Sequence, residues 1–169
     1  MKKKIAGIML LAALFSAVSV QAADNLQFRG NLVIPNCTVN NNMPFVVDWG
    51  DVEIQTFQVA DEGYHKKEVS IPLHCPYFLK TPKLMMTGSK GKASNYIQTS
   101  KYNEGLIISA WHKTGKVNLG EEIDATGSIS GSGVDKELYL LFALGREKNM
   151  EDLTPGEFTA GANLQVRYE

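Results

Sequence analysis

Cysteine and histidine are both scarce in this chain of 169 residues, which holds two of the first and three of the second. His65, His74 and His112 show no paired spacing with Cys37 and Cys75 beyond the adjacent His74-Cys75, so the pattern of a zinc site is missing. Missing too are the G-x-S-x-G elbow, the P-loop and the H-E-x-x-H helix. Two acidic clusters, Glu121 and Glu122 with Asp124, and Glu151 with Asp152, come nearest to acid–base machinery. Both lie in turn-rich sequence, where carboxylates are ordinarily solvated. These residues point to no metal, no cofactor and no enzymatic activity. Basic charge is also in short supply, with 17 Lys and Arg against 18 Asp and Glu, which gives a nucleic acid no electrostatic footing. No segment of the chain beyond its first residues reads as a helix.

The longest apolar run, Ile5 to Val18, is shorter than the ~20 residues that span a membrane. Lys2, Lys3 and Lys4 precede it, and Val20-Gln21-Ala22 closes it with small residues, the pattern of a secretory signal cleaved after Ala22. Residues 1–22 are therefore read as a leader, and cleavage takes three lysines with it, moving the formal charge from −1 to −4. The remainder has the size of one domain. In an oxidising compartment its two cysteines have a single possible pairing, Cys37 with Cys75, and a loop of that length stabilises a fold by about 4 kcal/mol.

What the chain does contain is strand-like sequence. Phe45–Gln55 is rich in β-branched and aromatic residues, and Lys67–Cys75 alternates with Val69, Ile71, Leu73 and Cys75 on one face. Lys83–Thr87, Tyr96–Thr99 and Val117–Leu119 are short candidates, and Leu106–Trp111 is a longer one. Leu138–Leu144 is almost continuously apolar, as a central strand would be. Thr126–Gly133 reads as a flexible loop within the domain. Strands of this kind separated by Gly, Asn and Ser clusters imply an antiparallel β-sandwich. Trp49 and Trp111 suit packing in such a sandwich, although a secreted carbohydrate-binding module could use either as a stacking platform.

The two ends carry the most information. In Asn25–Ile34 the residues Leu26, Phe28, Leu32 and Ile34 fall on one face, interrupted by Gly30. Burying those four side chains would contribute about 6–12 kcal/mol before ordering costs. At the other end Phe158, Ala160, Ala162, Leu164, Val166 and Tyr168 share one face of a strand running to Glu169, with Gly156 ahead of it providing a tight turn.

Joined to the disulfide, an alternating N-terminal arm, a glycine fourteenth from the end and a penultimate tyrosine resemble the pilus subunits of the chaperone–usher pathway. The stretches "DNLQFRGNLVIPNCTV" (24–39), "VDWGDVEIQTF" (47–57) and "HCPY" (74–77) are most similar to the subunits that form the tip fibre of P pili. The middle of the chain, from about Lys80 to Val134, matches loosely. The resemblance implies an immunoglobulin-like sandwich lacking its last strand (36–169), preceded by a donor-strand extension (23–35) that fills the groove of a neighbouring subunit. It implies that Gly30 meets a shallow or closed part of that groove. It also implies that the strand from Phe158 to Tyr168, with the Glu169 carboxylate, docks a periplasmic chaperone. An outer-membrane usher and further subunits, copies of this chain among them, would be the other partners, and the cell surface the destination. Within that family the single domain and full arm indicate an internal subunit, as a tip-fibre repeat or an adaptor.

Overall fold

The computed structural model describes residues 26–169. The leader and Ala23, Asp24 and Asn25 lie outside the described residues. The chain divides into a unit that ends at Leu32 and a compact unit spanning Val33–Glu169. In the first, residues 26–32 have no regular structure, and Leu26, Phe28 and Leu32 are exposed, Phe28 at 87%. Among the described residues, 26–34, the alternating pattern is thus not realised as a strand. Its residues have no ladder partner, and a lone strand does not hold its shape in water.

The second unit is all-β. Its strands are β1 (Thr38–Val39), β2 (Tyr64–His74), β3 (Pro82–Gly88), β4 (Tyr96–Gln98) and β5 (Leu106–His112). They are followed by β6 (Gly115–Lys116), β7 (Glu122–Asp124), β8 (Ile129–Ser130), β9 (Asp135–Arg146) and β10 (Ala162–Tyr168). The larger sheet runs β1-β2-β9-β5-β4, with β6 on β5 and β8 on β9, and the smaller runs β10-β3-β7. Every pairing between these strands is antiparallel.

Period-two sequence explains which faces meet. Ile71 and Leu73 of β2, and Leu138 and Leu140 of β9, turn inward and are buried. The apolar run of β5 lies between β9 and β4 and is buried along Leu106–Ala110. From the smaller sheet Leu84, Met86 and Val166 complete the core. Cys37 and Cys75 are bonded, with Cα atoms 4.2 Å apart, and the Cys37 N–H donates to the Val166 carbonyl at 2.8 Å. Cys37 therefore joins β2 of one sheet to β10 of the other.

Four elements differ from the sequence reading. Phe45–Gln55 forms no strand and contains only the start of a one-turn 3₁₀ helix at Ile54–Thr56. Val117–Leu119 is not a strand either, although the Val117 N–H bonds the Ala110 carbonyl and Leu119 bridges Met86. Within Thr126–Gly133, β8 pairs Ile129 with Leu138, and buried Ser128 accepts a bond from the Lys113 N–H at 2.8 Å. The last strand begins at Ala162 instead of Phe158. Upstream of it, Thr159 and Ala160 find partners in Ser100 and Thr99 beside β4, so that stretch belongs to the end of the other sheet.

Candidate functional site

The smaller sheet does not cover the larger one. Between them lies a groove of about 1600 Å³. Ile71, Ile97, Leu106, Ile108 and Phe142 reach it from the larger sheet, and Met86 from the smaller. One wall is formed by residues 42–52 and the other by Leu153–Leu164. Neither wall makes a continuous ladder.

Along β10 the core-facing residues lose their cover in order. Tyr168 and Val166 are buried, Leu164 is half-buried, and Ala162 and Ala160 are exposed. The backbone shows why. The Glu169 N–H bonds the Thr81 carbonyl at 3.0 Å, and the β10–β3 register places Arg167 opposite Lys83 and Gln165 opposite Met85. Odd-numbered residues therefore spend their backbone groups on β3, and even-numbered ones aim theirs the other way. At Val166 that outward carbonyl meets Cys37. At Leu164 and Ala162 no comparable partner is present among the described residues. Unpaired backbone and uncovered apolar side chains thus coincide on one edge, which is what an additional strand would satisfy.

The wall ahead of β10 bends at Pro155-Gly156, where Gly156 has φ +134, a conformation other residues adopt only under strain. Phe158 is half-buried, its ring 6.4 Å from that of Trp49 on the facing wall. Trp49 is held in turn by its indole N–H, which donates to the His65 carbonyl at 2.7 Å, and Lys67 donates to the Asp48 carbonyl. Trp111 sits elsewhere, with its ring against Gly63. At the chain's end Arg167 pairs with the Glu169 side chain at 3.1 Å and with Glu122 at 2.8 Å. Burial pushes the Tyr168 phenol above its usual range. On the arm side, Ile34 is exposed like Leu26, Phe28 and Leu32, and nothing lies near the position a Cβ would take at Gly30.

Sequence reasoning missed two parts of the groove. Of residues 42–52, the part from Phe45 onward was legible as strand-forming, but not as a wall. Lys101, which lines the groove, and Glu104 beside it carry no motif that would have marked them. Glu104 accepts from the Thr154 N–H at 2.9 Å and from Lys101 at 3.1 Å, which holds its carboxyl below the usual glutamate range.

Comparison with known proteins gives the groove a context. Residues 26–169 match a family described as Fimbrial protein. The chain is 35% identical to the fimbrial protein PrsE of Escherichia coli, over 98% of this chain and 99% of the relative. It is 28% identical to the fimbrial adapter PapF of the same organism, over 95% and 96%. Among solved structures, a chain from a chaperone–usher pilus superposes with TM-score 0.64 at 20% identity, covering 88% of this chain and 97% of that one.

Proposed function

The chain belongs to the fimbrial protein family, and from that premise we propose that it is a structural subunit of a chaperone–usher pilus that polymerises by donor-strand exchange. The groove between the sheets receives an extended strand from a neighbouring subunit. The arm Asn25–Ile34 is the strand this chain supplies in return, with Leu26, Phe28, Leu32 and Ile34 as the side chains that enter. The observation that carries this reading is the coincidence on β10 of uncovered apolar face and unpaired edge, in a chain that also holds an exposed arm of matching alternation. Each defect is costly in water, and one intermolecular ladder removes both.

Before a neighbour arrives, the same edge needs a substitute. A periplasmic chaperone docks along Gly156, Phe158, Ala160, Ala162, Leu164, Val166, Tyr168 and Glu169, and an outer-membrane usher accepts the complex. Export through the periplasm then ends in a surface fibre. The similarity of the arm to tip-fibre subunits favours a repeating role there over an adaptor role.

Deleting residues 24–34 tests the assignment. The deleted subunit should remain folded and bound to its chaperone, yet fail to cap the subunit before it. Unfolding of the chaperone-bound domain on deletion would show that the strand serves its own sheet.

A further inference from the structure

The wall between Leu153 and Ala160 has little to hold it. The β10–β3 ladder begins only at Ala162, and upstream of it the backbone contacts are those of Thr159 and Ala160 with Ser100 and Thr99. Beyond them stand the packing of Phe158 against Trp49 and one cluster of polar side chains. Glu104 accepts from both the N–H and the hydroxyl of Thr154 at 2.9 Å. Lys101 donates to Glu104 at 3.1 Å, and to the Thr154 carbonyl and hydroxyl at 3.0 Å. The lysine side chain is 15% exposed and the glutamate 28%, so these are sheltered charges that satisfy one another. Lys101 also lines the groove, and its ammonium lies 3.7 Å from where a Cβ on Gly156 would stand.

We propose that Lys101 and Glu104 are positioning residues that keep this wall set for an incoming strand, and that they govern how fast the strand enters more than how firmly it is held. The inference rests on the donor-strand reading of the groove. The empty wall is ordered by the Thr159 and Ala160 backbone contacts, the packing of Phe158 on Trp49 and this cluster, whereas a seated strand adds a ladder of its own. The cluster therefore acts chiefly in the empty state. A site whose competent form is already populated binds faster, because a smaller share of encounters is wasted. Changes within an interface ordinarily alter dissociation, so an effect confined to entry is diagnostic.

The experiment uses the mature chain in complex with its periplasmic chaperone, mixed with a labelled synthetic peptide of residues 24–35. Lys101→Met, Glu104→Gln and Thr154→Val should each slow peptide incorporation several-fold. Thr154→Ser, which keeps the hydroxyl, should restore a rate close to that of the unsubstituted chain. The rate at which the peptide-filled product loses peptide should stay unchanged. Thr154→Val removes only the hydroxyl, so it reports even where a charge substitution prevents recovery of the complex. Unaltered incorporation by that variant would overturn the proposal, and so would faster peptide loss from the filled product. Failure of the unsubstituted chain to take up the peptide would overturn the donor-strand reading itself, an outcome distinct from a loss specific to the variants.

Discussion

Gly156 shows how much one backbone angle decides. At φ +134 the chain turns from the far end of the larger sheet toward β10, and any Cβ there is strained whatever space surrounds it. Gly156→Ala should destabilise the subunit by about 1–3 kcal/mol, measured by thermal denaturation of its chaperone complex. Two glutamates make a second prediction. The Thr154 N–H, then Lys101, lowers the pKa of Glu104. The Ser70 hydroxyl at 2.6 Å, then that of Tyr139 at 2.8 Å, lowers the pKa of Glu137. A folded pKa below the unfolded one means stability that is complete above the ordinary glutamate pKa and is lost as pH falls through the depressed value. Acid titration of the native protein should therefore show a small loss that Glu104→Gln and Glu137→Gln each reduce. Glu137 is exposed and Glu104 only partly sheltered, so each loss should be small.

At the scale of elements, β10 works on both its edges. One edge is saturated by β3, and among the described residues the other is bonded only where Cys37 meets Val166. Leu164 sits at the transition, half-buried, beside the last covered position. Leu164→Asp places a carboxylate where a strand from chaperone or neighbour should close over it, and an unpaired charge in such a place is costly. Recovery of the chaperone complex from periplasm should fall at least tenfold, as judged by co-purification, with the free subunit degraded. Undiminished recovery would place the docking edge elsewhere. The segment 45–52 is the counterpart of β10. Its residues are suited to a ladder and have none, because the position beside them is the groove itself.

For the whole molecule, the disulfide matters more than its position near one end suggests. Cys37 is bonded to Cys75 at the end of β2 and, through its N–H, to β10, so one residue ties both sheets together where they come closest to being covered. A sandwich with an open groove has less buried apolar area than a closed one and correspondingly little stability in reserve. Cys75→Ala should cost about 2–5 kcal/mol. The check is denaturant unfolding of the peptide-filled subunit, together with a lower yield of subunit from cells.

Much of this was already determined by the order of residues. Alternation in Lys67–Cys75, the continuous run at Leu138–Leu144 and the final face ending in Tyr168 announced an all-β fold, because side chains on a strand have only two directions and water penalises the wrong one. The single cysteine pair was equally legible. Tertiary structure alone decided which strand-like segments became strands. Phe45–Gln55 and the start of the last strand have good local sequence, yet a ladder needs a neighbour at 4.7–4.9 Å, and no local pattern says whether one will be there. The same holds for Ile129, which pairs with Leu138 despite its glycine-rich surroundings. The walls of the groove and the Lys101–Glu104–Thr154 cluster were invisible for the same reason. They join residues 50 apart in sequence, and only the packing of two incomplete sheets brings them together.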